Sequence, residues 1–176
     1  MTRWTIDADH SVAAFSIRHM MITMIRGQFN RISGTIQYEP ADMNRSSVEI
    51  AIDVASVFTG IQKRDDHLRS PDFFDVGNHP LMTFKSTRIG TGAGNRVHVT
   101  GDLTIHGITR QITAAAEFSG PVRDPLGEGT SMGFAASLVI DREEFGMTWN
   151  QPMENNGFIL DKQVLINIDL EADRSP

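Results

Sequence analysis

Three consecutive residues, Asp65, Asp66 and His67, are the part of this 176-residue sequence whose types could perform acid–base chemistry. Carboxylates and an imidazole exchange protons, and Arg64 or Arg69 beside them could hold an anionic substrate. Neighbouring residues of a helix point to different sides, so these five side chains cannot all face one substrate. A surface helix held by ion pairs, with Asp65 four residues before Arg69, is therefore favoured. An enzyme that uses Asp65, Asp66 and His67 is the alternative.

The six histidines are the residues that could bind a metal ion. His98 and His106 share one face of a predicted strand, but that strand separates them by about 26 Å, whereas metal ligands lie about 2 Å from the ion. No two histidines have the i, i+2 spacing of a strand face or the i, i+4 spacing of a helix face. We therefore predict neither a metal site nor a cofactor, and only ligands that converge from separate strands remain open.

A short helix is expected over residues 60–70, where it interrupts a pattern of strands. Thr59 and Gln62 have the spacing of a capping box, in which each side chain binds the other residue's backbone N–H at a helix start. Pro71 disfavours helical geometry at the residue before it, so the helix should end near Arg69. This segment has to position the acid–base cluster.

The apolar residues of the same segment indicate what the helix covers. Ile61 and Leu68 lie two turns apart and should form a buried stripe. Phe73 and Phe74 follow the helix and place two large rings where they could close an apolar interior. We interpret residues 59–76 as a lid, or a plug, on a barrel of strands.

The rest of the chain alternates apolar and polar residues with the period of two that is typical of half-buried strands. The clearest hairpin joins 97–105 to 108–118 through a two-residue turn at His106 and Gly107. This turn sets Ile105 opposite Ile108 and places both apolar sets on one face. About eight such strands predict a single all-β domain over 1–176, either an antiparallel sandwich or a closed barrel.

Composition narrows the class of partner. A net charge of −6 argues against nucleic acid, because neutralising phosphates needs a basic face. No segment reaches the 18 or more apolar residues of a membrane span, and the first residues, MTRWTIDADH, lack the apolar run of a signal peptide. We therefore expect a cytoplasmic protein. The absence of cysteine excludes disulfides, thiolate metal sites and a Cys nucleophile.

Several motifs occur in order at compatible spacings along nearly the whole chain. They are WTIDADHSVAAFSIRH near the start, GQF at 27–29, TG with RDDHLRSPDFFDV, the following Pro80 and Phe84, GDLTIHGITR, and REEFG. In these the sequence resembles the YceI-like family of lipid-binding proteins. The resemblance implies an elongated, lipocalin-like antiparallel β-barrel whose apolar tunnel holds a polyisoprenoid, an isoprenoid quinone or a fatty-acyl amide. It also implies a possible homodimer. Many family members carry a secretory leader, from which this sequence departs.

A barrel of about eight strands has an interior that ordinary side chains fill, so a tunnel needs small residues on the inner face. Strand parity places such residues inward, among larger apolar walls. The predicted ligand-binding residues are Ala13, Phe15, Ile17, Met24, Phe29, Ile50, Ile52, Phe73, Phe74, Phe84, Leu103, Ile105, Arg110, Ile112, Ala114, Ala116, Ala136 and Leu138. Arg110 should lie opposite Leu103, where it could meet a polar head group.

Three functions remain open at this point. The favoured one is a carrier, buffer or storage protein for a long apolar lipid. The others are an enzyme that acts on such a lipid and a scaffold whose barrel has a packed core.

Overall fold

Ten strands and one α-helix make up the computed structural model, which describes residues 1–125, 129–154 and 157–175. The elements are β1 (Thr2–His19), β2 (Thr23–Phe29), β3 (Ile32–Tyr38), β4 (Ser47–Asp53), β5 (Val57–Phe58), α1 (Gln62–Arg69), β6 (Leu81–Thr91), β7 (Arg96–Ile105), β8 (Ile108–Arg123), β9 (Thr130–Asp141) and β10 (Leu160–Arg174). Short 3₁₀ turns occupy Met43–Arg45, Val54–Ser56 and Arg142–Phe145. Within these ranges, no helix has the length and hydropathy needed to cross a membrane.

The strands form one antiparallel sheet that closes on itself. Neighbouring strands follow the order β10-β9-β8-β7-β6-β4-β3-β1-β2-β5, and β1 also pairs with β10. This last pairing closes a barrel of eight strands, β1, β3, β4 and β6 to β10. The prediction of an eight-stranded antiparallel barrel is confirmed, and closure leaves these strands without a free edge.

Strand β1 is the seam of the barrel. One of its edges pairs with β10 from Trp4 to His19, with a register shift between Asp7 and Val12. Its other edge pairs first with β3 and then with β2, and β5 in turn adds to β2. Ala13, Phe15 and Ile17, which alternate with the period of two that is typical of a strand, therefore belong to one long strand with partners on both sides.

The predicted hairpin of β7 and β8 is confirmed residue by residue. Ile105 pairs with Ile108, as the turn at His106 and Gly107 requires. Both turn residues have positive φ, 52° and 73°, as expected for a two-residue type I′ turn, which favours glycine at its second position. Ten residue pairs, including this one, lie in unbroken register, so the parity of β7 fixes the parity of β8.

Helix α1 ends where the sequence predicted, immediately before Ser70, but its start is different. The residue that caps it is Ile61, which offers no side-chain hydrogen bond, so the capping box is wrong. Thr59 instead uses its backbone N–H and its hydroxyl to donate to the carboxylate of Asp65, at 2.9 and 2.6 Å. A loop residue thus binds a helix side chain one turn into the helix.

The expected buried stripe and ion pair of α1 also differ from the structure. Leu68 packs against the main core cluster, but Ile61 is 53% exposed because it precedes the helix. Asp65 is buried at 3% exposure, and Arg69 pairs with Asp66, at 3.2 Å, rather than with Asp65. Arg69 also donates to the carbonyls before and in β5, which fastens the helix to the sheet.

Candidate functional site

An apolar cavity of about 410 Å³ lies inside the barrel. This volume falls within the range of about 300–1,000 Å³ that is common for small-molecule sites. Its walls come from the inner faces of the barrel strands, with α1 and the segment after the 3₁₀ turn at Arg142–Phe145 at one end. The interior is therefore a chamber and not a core filled by side chains.

Most of the residues predicted to bind a ligand lie around this cavity. Those that line it are Ala13, Phe15, Ile17, Phe29, Ile50, Ile52, Phe73, Phe74, Phe84, Leu103, Ile105, Ile112, Ala114, Ala116, Ala136 and Leu138. They come from seven strands and the segment after α1. The strand residues among them could be predicted because alternate residues of a strand share one face, and each strand keeps one face toward the barrel interior.

Two predicted members lie outside the lining set. In β2 the residues that face inward are Ile25 and Phe29, which pair with Ile17 and Ala13, so Met24 has the opposite parity. Arg110 does pair with Leu103, but its side chain is exposed, and its Nη1 donates to the carbonyl of Thr109.

The position of Arg110 explains its exposure. It is the third residue of β8, beside the turn that ends the barrel, where a long side chain can reach water. A polar head group in the cavity therefore has no partner at this position.

Sequence reasoning missed a second group of lining residues. Some are alternate apolar residues of a strand, including the wall of β10, Val164, Ile166, Ile168 and Leu170. Others come from loops that carry no periodic signal. The missed set also includes His19, Ile25, Ile36, Tyr38, Met43, Val48, Arg64, His67, Leu68, Met82, Val97, Val99, Phe118, Phe134, Ile140, Arg142, Met147 and Trp149.

Aromatic rings lie at both ends of the cavity. At the α1 end, Trp149 packs edge-on against His67 with ring centroids 4.7 Å apart, and Phe73 lies 5.0 Å from His67 and 5.4 Å from Trp149. At the opposite end, Tyr38 and Phe118 lie 5.5 Å apart beside a small buried cluster that includes Trp4. The cavity therefore extends between two aromatic groups.

The acid–base cluster of the sequence does not face the cavity as a unit. Asp65 is committed to Thr59, and Asp66 is exposed and accepts from Gln62 at 2.7 Å. Only His67 lines the cavity, and its Nε2 lies 2.8 Å from a carboxylate oxygen of Asp72. The helix points the three side chains in three directions, as its geometry requires.

Arg142 is the cationic residue buried most deeply in the lining, at 2% exposure. Its Nε and Nη1 donate to the backbone carbonyls of Asp161, Met147 and Trp149. Its Nη2 has no hydrogen-bond partner among the described residues. Burial lowers the pKa of this guanidinium, and the charges of Glu143 and other nearby carboxylates oppose that shift.

Two groups of side chains bring potential metal ligands together from separate segments. Asp75, His79 and His106 each place one ligand atom within 4.8 Å of the others, and so do Asp7, His10 and Glu171. Spacing along a single strand could not reveal either group. Neither group lines the cavity.

The match to known proteins decides the family. A model of the YceI-like domain matches residues 4–172. The chain belongs to the YceI-like family. A UPF0312 protein of Staphylococcus epidermidis is 33% identical to it over 171 residues, which is 97% of each chain. A UPF0312 protein of Vibrio cholerae is 37% identical over 138 residues, 78% of this chain and 72% of that one.

Solved structures share the architecture of this YceI-like barrel. BcnA of Burkholderia cenocepacia has a TM-score of 0.83 at 26% identity, and the match covers 94% of this chain and 98% of BcnA. The YceI protein of Campylobacter jejuni has a TM-score of 0.76 at 28% identity, with 90% of each chain covered. A polyisoprenoid binding domain from Saccharophagus degradans has a TM-score of 0.74 and covers 99% of this chain and 100% of that domain. Its 16% identity shows a common fold alone.

Several motifs that carried the YceI-like resemblance meet at the α1 end of the barrel. The turn of GDLTIHGITR contacts the segment after α1, since the rings of His106 and His79 lie 4.8 Å apart. It also contacts REEFG, because a Cβ on Gly146 would lie 3.2 Å from His106. These motifs therefore build one end of the cavity.

Proposed function

We propose that this protein binds a long apolar lipid in its cavity and releases it unchanged, as a carrier, buffer or storage protein. The observation that supports this proposal is the cavity of about 410 Å³ enclosed by aliphatic and aromatic walls. Transfer of an apolar chain from water into such walls is favourable by about 0.8 kcal/mol per methylene group. The candidate ligand classes are polyisoprenoids, isoprenoid quinones and fatty-acyl amides.

The cavity volume sets the length of chain that fits. An apolar cavity of about 150 Å³ holds one benzene, which is roughly 25 Å³ per carbon atom. On that basis a cavity of about 410 Å³ accommodates about 16 carbon atoms. A longer chain would have to extend out of the cavity through one of its two aromatic ends.

The proposal is for binding without turnover because the candidate catalytic residues do not converge. Asp65 is held by Thr59, and Asp66 faces solvent. General acid–base catalysis requires groups within hydrogen-bond reach of the same substrate atoms. His67 alone among the three lines the cavity.

Organic extraction and mass spectrometry of gently purified protein test this function. We expect one lipid per chain, recovered unchanged after incubation. The delipidated protein should then take up apolar chains of about 16 carbons from solution. Protein that yields no lipid and refuses every added chain would refute the proposal, and recovery of a converted product would favour the enzyme. The homodimer that the family resemblance implies can be measured as molar mass by light scattering on the same sample.

A further inference from the structure

The guanidinium of Arg142 is a buried positive charge at the α1 end of an apolar cavity. It is 2% exposed, and it lines the cavity among apolar groups such as Met147 and Trp149. A buried charge is costly unless an opposite charge or hydrogen bonds compensate it. The group that compensates the charge of Arg142 therefore indicates which kind of ligand the cavity binds.

The hydrogen bonds of Arg142 are all to neutral groups. Its Nε donates to the carbonyl of Asp161 at 2.9 Å, and its Nη1 donates to the carbonyls of Met147 and Trp149. These bonds fix the plane of the guanidinium. They leave Nη2, which is buried, without a hydrogen-bond acceptor in the described part of the chain.

The carboxylates near Arg142 are engaged elsewhere. Glu143 forms an ion pair with Lys162 at 2.7 Å. Asp141 accepts from the backbone N–H of Glu143, and Asp161 accepts from the backbone of Lys162. Their charges act on Arg142 from a distance, but within the described ranges none of them forms an ion pair with it.

Other basic side chains at this end of the cavity already have partners. Arg64 donates from Nε and Nη2 to the hydroxyl and carbonyl of Thr59, at 2.7 and 2.8 Å. His67 is paired with Asp72 at 2.8 Å. Arg142 is thus the cation of the lining that combines deep burial with a free N–H group.

We propose that Arg142 anchors the oxyanion head of an amphipathic lipid, a carboxylate or a phosphate, while the chain of that lipid lies in the cavity. This inference rests on the proposed lipid binding and adds the class of head group. An oxyanion would neutralise the buried charge, and it would accept from Nη2 once a small shift of neighbouring groups uncovers that atom, which is closed to the cavity in this structure. An alcohol or a carbonyl would only accept a hydrogen bond and would leave the charge uncompensated. The expected preference comes from the charge of the ligand, because a hydrogen bond from a guanidinium is charge-assisted with either kind of acceptor.

One chain with three head groups separates the possibilities. Delipidated wild-type protein is titrated at pH 7.5 with hexadecanoic acid, hexadecyl phosphate and hexadecan-1-ol, each below its aggregation concentration. We expect the acid, the phosphate or both to bind at least about tenfold more tightly than the alcohol. Comparing the two acidic ligands identifies which oxyanion the site takes. Equal affinity for all three would overturn the head-group proposal and leave lipid binding standing, and failure of all three would refute both.

Two variants assign the preference to Arg142. In Arg142→Gln the ratio of acid to alcohol affinity should fall to near one, with little change in the affinity for the alcohol. Lys63→Gln removes an exposed positive charge from α1 at the same barrel end, and it should keep the wild-type ratio because Lys63 does not line the cavity. An equal loss in both variants would show a general charge effect and would overturn the assignment.

A measurement on the wild type covers the case in which Arg142→Gln does not fold. Hexadecanoic acid labelled with ¹³C at its carboxyl is bound to the protein and titrated by NMR. A carboxyl in an apolar cavity without a cation has a raised pKa, whereas one paired with a guanidinium has a lowered pKa. We expect the pKa to be lowered, and a raised pKa would overturn the proposal.

Discussion

Replacing both Ala114 and Ala116 by phenylalanine should fill the cavity without unfolding the protein. Both alanines line the cavity, and they pair with Val99 and Val97 across β7. They lie two residues apart in β8, so their side chains point the same way, about 6.6 Å apart. New rings at these positions would project into the volume that the ligand needs.

The expected change in the free energy of unfolding follows from the size of the cavity. A phenyl ring needs roughly the volume of about 150 Å³ that accommodates benzene. Two rings would therefore take most of the cavity of about 410 Å³. In a filled core, two such substitutions would cost about 2–6 kcal/mol of overpacking strain. In this cavity we expect the free energy of unfolding of the lipid-free protein to stay within about 1 kcal/mol of wild type.

Urea unfolding and lipid extraction measure the two halves of this prediction. The midpoint of unfolding should change little at constant m, and the purified double variant should contain no lipid and take up none. Ala115→Phe is the matched control, because Ala115 lies between the two positions, is exposed and has the opposite parity. The control should retain lipid. A double variant that unfolds would show that this layer is packed solid, and one that still binds would place the ligand elsewhere.

Three further predictions concern the lid end and the outer surface of the barrel. Phe73→Ser removes a buried ring of the lining, so it should lower the free energy of unfolding by about 3 kcal/mol. It should also speed ligand release in stopped-flow measurements. An unchanged release rate would show that Phe73 is an ordinary core residue. Asp65→Ala leaves the N–H of Thr59 without its acceptor and should cost about 1–3 kcal/mol in urea unfolding, whereas a neutral result would show that water replaces the carboxylate. Asp7 raises the pKa of His10 through their hydrogen bond, and His10 lowers the pKa of Asp7 in return. The stability that His10 contributes is therefore fully present below its ordinary pKa of about 6.5, and it is lost as the pH rises through the higher pKa of the folded state. The stability that Asp7 contributes is lost only in acid. His10→Gln should flatten the fall in stability above about pH 6.5, and an NMR titration of His10 that shows no raised pKa would refute this reasoning.

The hairpin of β7 and β8 shows why strand faces were predictable from the sequence. A two-residue turn fixes the register at Ile105 and Ile108, and the period of two then assigns every later side chain to a face. Met24, which was predicted from its adaptable apolar side chain, shows where parity gives no guidance. Met20 and Met21 have positive φ just before β2, so the chain turns there, and parity cannot be carried from β1 across the turn. Ile25 consequently faces the cavity instead of Met24.

The polar residues at the α1 end of the barrel were predicted less well because their partners and surroundings are distant in the chain or irregular. The sequence pattern placed Asp65 on an exposed helix face, but burial and a loop partner, Thr59, stabilise it. Arg142 lies in the REEFG motif, one of those that carry the family resemblance. Its hydrogen bonds, however, are to loop carbonyls that no periodic pattern predicts. Arg110 pairs with Leu103 as predicted, but its side chain is exposed instead of facing the cavity. Parity does not say how near a residue lies to the barrel end.

Whether a barrel is hollow depends on which inward side chains meet in one cross-strand row. Here Val97 pairs with Ala116, Ala116 with Ala136, Ala136 with Ile168, and Ile168 with Ala13. Three of the five residues in this row across β7, β8, β9, β10 and β1 are alanines. Each alanine alone is compatible with a packed core, and Ala13 lies far from the other two in the chain. Pairing of β8 with β9 aligns Ala116 with Ala136, and closure of the barrel through β10 adds Ala13 to the row. Since eight strands leave just enough width for ordinary side chains, this row of small ones leaves space for a ligand.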